Sequence, residues 1–141
     1  MSRTIFKGAR VFDGTGTDPA PADVAIEGGR IVDIGSGLDG DDSVDLAGRT
    51  ILPGLFDCHV HVMITSIDVW RLAQMSLSYR YFEAARNLAD TLTGGITTVR
   101  DGGGADLGLK QAVDDGLIVG PRMHVAIGMI STASSSSRKL T

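Results

Sequence analysis

The sequence predicts an α/β protein: a β segment over residues 1–52, then alternating strands and helices that begin a parallel sheet. Three observations carry this reading. Two β-compatible runs flank the glycine pair Gly28-Gly29, which is a strong hairpin signal. The pattern changes at Pro53-Gly54. Beyond that pair, β-branched runs alternate with segments of helical period, as right-handed βαβ units require.

Within the β segment, Ile5 to Phe12 is a strand-like run ending at the turn residues Asp13-Gly14-Thr15-Gly16. Asp23 to Glu27 and Arg30 to Ile34 are the hairpin strands. A further short strand is expected around Ser43 to Leu46. After Pro53-Gly54, Leu55 to Val62 reads as a buried strand. One long helix is expected from Ile67 to Thr93, because Trp70, Ala73, Leu77, Tyr81, Ala84, Leu88 and Leu92 recur at spacings of three and four. Packing of that apolar stripe on the sheet is the natural reading, and Gly94-Gly95 stops the helix. Ile96 to Arg100 is the second strand, Asp106 to Gly116 a shorter helix, and Met123 to Ile130 the third strand. Ser131 to Thr141 is serine-rich and reads as a flexible tail.

A closed (β/α)₈ barrel takes about 250 residues and at least about 200. The segment after residue 52 therefore corresponds to about three-eighths of one, an incomplete TIM-type barrel of three βα units. The domain expectation is a β segment over 1–52, the start of a barrel over 53–132 and a tail over 133–141.

Composition narrows the function. Hydrophobic residues make up 43%, enough to form a core, and the 19 glycines fall mostly between apolar runs. A net charge of -4, with no block of Lys or Arg, argues against a nucleic-acid partner. No apolar stretch approaches the ~20 residues of a membrane helix. The single cysteine, Cys58, rules out an internal disulfide framework and suits a reducing compartment. Together with an N-terminus that lacks a secretory apolar region, these features lead to the expectation of a soluble, cytoplasmic protein.

The chemistry-bearing motif is His59-x-His61. Alternate residues of a strand face the same way, about 6.6 Å apart, so two imidazoles can meet at one divalent ion if the strand end bends. Imidazole suits zinc and similar transition metals. The pair lies toward the C-terminal end of the first parallel strand, where sites of (β/α) barrels are built. Alone, the motif also fits two polar residues making ordinary hydrogen bonds.

Its context is more specific. Leu52-Pro53-Gly54-Leu55-Phe56-Asp57-Cys58-His59-Val60-His61 resembles the barrel-entry signature of the amidohydrolase superfamily, a proline-glycine turn leading into Asp-x-His-x-His. Gly94-Gly95-Ile96-Thr97-Thr98-Val99-Arg100-Asp101-Gly102-Gly103-Gly104 resembles the second strand of its Xaa-Pro dipeptidase-like and imidazolonepropionase-like branch, and Gly120-Pro121-Arg122 fits the same branch. The resemblance covers about residues 3 to 132 and extends to the N-terminal segment, since such enzymes open with strands of a small β-sandwich.

The resemblance implies His59 and His61 as ligands of a divalent metal, zinc first, in a site of one or two ions. It implies hydrolysis of a C–N bond in a small peptide-like or cyclic amide substrate by metal-activated water, whose pKa falls to about 7, and a homo-oligomer for the complete protein. Relatives add a lysine or carboxylate, two more histidines and a late aspartate. None of these has a counterpart in this sequence, so no catalytic residue is assigned. Because family character stops near Thr132, a frameshift, premature stop or truncated gene is one expectation, and an inactive fragment or assembly partner is the alternative function.

Other residues divide between chemistry and structure. Asp57 shares the histidine face and either orients a ligand or bonds to backbone. Arg100 and Asp101 end the second strand, as an ion pair or in contact with substrate. His124 is expected in the core or at the bottom of the sheet, and Cys58 as a small core residue. Gly102-Gly103-Gly104 lacks the spacing of a phosphate loop. Asp13-Gly14-Thr15-Gly16-Thr17 lacks the lysine of a phosphorylated aspartyl loop.

Overall fold

The computed structural model describes residues 2–129, which divide into two compact units between Pro53 and Gly54. The expectations for Ile130 and for the tail lie outside the described residues. Among the described residues, no helix is long and apolar enough to cross a membrane.

The first unit is a mixed five-stranded sheet: β1 (Arg3–Val11), β2 (Ala20–Glu27), β3 (Arg30–Gly35), β4 (Asp42–Asp45) and β5 (Thr50–Ile51). The order is β3-β2-β1-β4, and β5 also pairs with β1. The hairpin of β2 and β3 forms where the glycine pair demands it. Gly28 and Gly29 have φ of 58° and 73°, the left-handed pair that a tight two-residue turn uses. β4 and β5 run parallel to β1, and β5 was not anticipated from two residues of pattern. Ile5 and Ala9 of β1 and Val24 and Ala25 of β2 are buried. The pairing of β1 with β2 slips between Phe6 and Ala9, where the Gly8 amide donates to Asp23 Oδ1. That bond, with a second from Gly37, holds the Asp23 carboxyl below its ordinary range.

The second unit is a three-stranded parallel sheet in the order β6-β7-β8, comprising β6 (Leu55–Val60), β7 (Ile96–Asp101) and β8 (Arg122–Val125). The connections carry α1 (Val69–Gln74), α2 (Leu77–Thr93) and α3 (Leu107–Asp114). The expected fold class is therefore observed: an N-terminal β sheet followed by a parallel sheet with βα connections. The core of this unit joins Ala84 and Leu88 of α2 and Leu109 of α3 to Val99 and Met123 of the sheet. Complete burial of a side chain such as Leu88 contributes about 1.5–3 kcal/mol.

The single long helix expected from Ile67 to Thr93 is two helices. Met75 and Ser76 are extended, with ψ of 136° and 141°. Asp68 caps α1 by accepting from the Trp70 and Arg71 amides. α1 buries nothing, and Trp70 is 77% exposed. Leu77 is also exposed, so the apolar stripe packs on the sheet only through Tyr81, Ala84 and Leu88. Period alone could not show that the helix breaks at Met75 and Ser76. Asp106 caps α3 through the Leu109 amide and accepts a 2.5 Å hydrogen bond from Tyr81 Oη. This bond pushes the Tyr81 phenol up and holds the Asp106 carboxyl below its ordinary range.

The strand from Leu55 is less buried than its composition suggests. Phe56 is 71% exposed and Leu55 is also exposed, because β6 pairs only with β7 and lies at an edge of the sheet. Cys58, expected in the core, is exposed: it lies beside Thr98, Arg100 and His124, on the sheet face opposite the helix-packed Val99 and Met123.

Candidate metal centre

Both histidines stand where β6 ends: His59 is within the strand and His61 one residue beyond it. Regular alternation would hold their side chains about 6.6 Å apart along the strand. The chain departs from it: the pairing of β6 with β7 slips between Asp57 and Val60, and the His59 amide donates to Asp57 Oδ1 at 3.0 Å. The rings consequently converge. Their centroids are 5.1 Å apart at an interplanar angle of 67°, and the two Nε2 atoms are separated by 3.3 Å.

That separation suits a hydrogen bond between the rings, and it also suits a shared ion. Two nitrogens bound to one tetrahedral cation at 2.0–2.1 Å lie about 3.3 Å from each other. The donor set and its spacing thus fit a zinc-like ion. His61 is oriented further, since its Nδ1–H donates to the Gly103 carbonyl at 2.8 Å. The tautomer this requires leaves the Nε2 lone pair free for a metal. Among the described residues, no group of three or more His, Cys, Asp or Glu side chains converges there.

The glycine run after β7 forms the floor of the site. A Cβ on Gly102 would stand 3.3 Å from His59 Nε2 and Cδ2 and from His61 Cε1, so the rings rest against bare backbone. Gly103 has φ of 145°, and a Cβ there would lie 2.5 Å from Met129 Cγ. In the sequence this run reads as the end of the second-strand signature and lacks the spacing of a phosphate loop; its place beneath the histidines is not read there. The available signal was three glycines at the end of the strand neighbouring the histidine strand.

The remaining candidates separate by strand face. Asp57 accepts from the His59 amide, the backbone bond that was one of its two expected roles. Arg100 and Asp101 do not form the expected ion pair. Consecutive strand residues point to opposite faces: Arg100 is exposed and donates from Nε to the Cys58 carbonyl at 2.6 Å, whereas Asp101 is fully buried. Among the described residues, the ion pairs are Arg3–Asp33 and Lys110–Asp114. Asp101 Oδ2 accepts from the Val62 amide at 2.8 Å, and its Oδ1 accepts from Gly103 at 2.8 Å and Ala105 at 3.3 Å. His124 is exposed rather than in the core. It stands opposite Arg100 in the sheet register and lines a shallow groove with Phe56, Cys58 and Arg100.

A parallel βα sheet with paired imidazoles at the C-terminal end of its first strand defines a class: βα proteins with polar side chains gathered at the strand ends, where (β/α) barrels build their sites. Residues 50–141 match the amidohydrolase family, and the chain belongs to that family. A prolidase solved in complex with N-methylphosphonate-L-proline is similar, with a TM-score of 0.81 and 33% identity over 89% of this chain and 32% of that one. A Xaa-Pro dipeptidase with methionine in its active site gives 0.78 and 27% over 92% and 34%. In sequence, the adenine deaminase of Sinorhizobium fredii is 36% identical over 58 residues, 41% of this chain and 10% of the deaminase. The chain thus spans about a third of the solved relatives and a tenth of the curated one. Amidohydrolases are typically metal-dependent.

Proposed function

We propose that His59 and His61 are the first two metal ligands of an amidohydrolase that cleaves C–N bonds of small peptide-like substrates, with Xaa-Pro dipeptides ahead of cyclic amides. The observation that carries this is the 3.3 Å separation of the two Nε2 atoms at a strand end. The likeness to a prolidase and a Xaa-Pro dipeptidase over nearly the whole chain supports the peptide-like substrate. The deaminase likeness covers less than half of it.

When bound, a divalent cation, zinc first, supplies Lewis acidity that activates water and polarises the scissile carbonyl. The chain's own residues prepare that chemistry. His59 and His61 bring their Nε2 atoms to a common point, Gly103 holds the His61 tautomer, and Gly102 leaves room for both rings. The proposal includes a cytoplasmic location, for which the single cysteine speaks.

A second reading is that the 141-residue chain by itself is inactive and serves as an assembly partner. Catalytic zinc sites normally use three protein ligands, and among the described residues two converge. The deciding assay follows free proline released from a Xaa-Pro dipeptide by the zinc-loaded protein, with His59→Ala as control. Release that is abolished by a chelator and by the substitution supports the first reading. Zinc-loaded protein that cleaves neither this peptide nor a cyclic amide supports the second.

A further inference from the structure

We propose that Asp101 is a positioning residue for the histidine pair, aiming the Gly103 carbonyl at His61 and thereby fixing which His61 nitrogen is free for a metal. The inference rests on reading His59 and His61 as ligands, and it goes beyond that reading by assigning the element that holds them. Asp101 is 0% exposed, and both of its carboxylate oxygens are used by backbone N–H donors. One oxygen takes the amide of Val62, the residue directly after His61. The other takes the amides of Gly103 and Ala105. The carbonyl that accepts from His61 Nδ1 belongs to Gly103, between those two anchored amides. One side chain therefore clamps the exit of the histidine strand to the loop that orients the second histidine.

The chemistry of the clamp calls for a carboxylate. Three N–H groups converge on two oxygens, and only an acceptor-only side chain satisfies them all. Asparagine has the same shape but would direct its NH₂ at the amide of Val62 or at those of Gly103 and Ala105. One arm of the clamp would open. Glycine at 103 reinforces this dependence. A φ of 145° is open to few other residues, so the loop shape that presents this carbonyl needs glycine here.

The test is Asp101→Asn in the full chain, with two readouts besides activity. In metal-free wild type, long-range ¹H–¹⁵N correlation spectra should place the His61 proton on Nδ1; in the variant the proton should be shared with Nε2. Titration with Zn²⁺ should show affinity falling by roughly 10- to 100-fold, the usual effect of losing a partner that orients a ligand. A variant that keeps wild-type circular dichroism, His61 tautomer and Zn²⁺ affinity overturns the proposal. If the variant does not fold, wild-type hydrogen exchange carries the test. The Val62, Gly103 and Ala105 amides should be protected together, and a Gly103 amide exchanging as fast as an open loop overturns the clamp. Wild type that binds no Zn²⁺ defeats the metal reading and leaves the tautomer measurement to judge Asp101 separately.

Discussion

The Nε2 atoms of His59 and His61 stand 3.3 Å apart at the exit of β6, the spacing that a shared tetrahedral ion imposes on two ligands. Most residues around this pair constrain it through backbone. Asp57 bonds to the His59 amide, the Gly103 carbonyl takes the His61 proton, and Gly102 withholds a side chain where the rings lie.

Zinc binding should depend on both imidazoles and on neither Cys58 nor His124. His59→Ala or His61→Ala should weaken Zn²⁺ binding by on the order of 100-fold or more, since loss of an orienting partner alone costs 10- to 100-fold. His124→Ala and Cys58→Ser should leave it within about twofold, because both side chains are exposed and stand outside the pair. Calorimetric titration of the four variants distinguishes these outcomes. Equal loss in His124→Ala would contradict the assignment.

Gly102→Ala should impair the site more than the fold. The added Cβ meets both rings at 3.3 Å, tighter than ordinary contact but short of a backbone clash. The rings must tilt, and Zn²⁺ affinity should fall about tenfold, on the scale of other losses of ligand orientation. Thermal unfolding should move little.

Gly54→Ala has the opposite signature. A Cβ at Gly54 would overlap the Thr97 side chain on the neighbouring strand, so β6 or β7 must shift at the end away from the histidines. Such overpacking destabilises by about 1–3 kcal/mol. Denaturant unfolding should show this loss.

The Tyr81–Asp106 hydrogen bond should make stability depend on pH at both extremes. The Asp106 carboxyl is held below its ordinary value of 3.8, chiefly by the Tyr81 hydroxyl, so its contribution is present above that pH and is lost as pH falls through the lower folded value. The Tyr81 phenol is raised above its ordinary 10.0, chiefly by the same bond, so its contribution is present below pH 10 and is lost as pH climbs through the raised value. Tyr81→Phe should cost about 1 kcal/mol between these limits. It should also flatten the dependence at both ends when unfolding temperature is followed against pH. A variant with the wild-type profile would show that the bond contributes nothing.

Much of the fold was legible because its signals are local. The Gly28-Gly29 turn, the β-branched run from Ile96 and the stop at Gly94-Gly95 each specify their own backbone. β5 escaped notice because two residues carry no period, and the break at Met75-Ser76 because the apolar spacing continues across it. The exposure of Cys58 and Phe56 escaped the sequence because burial depends on which face of the sheet the helices cover, which alternation does not report.

The sequence by itself determined that this chain alternates strand and helix after Pro53 and sets two histidines two residues apart at a strand end, since both are matters of composition and spacing along one chain. Tertiary structure decided the rest. The pairing of β6 with β7 slips where the imidazoles converge, and Gly103, just past the adjacent strand, bonds to the ring of His61. These contacts span about forty residues of chain, as with His61 and Gly103, and arise only when parallel strands pair.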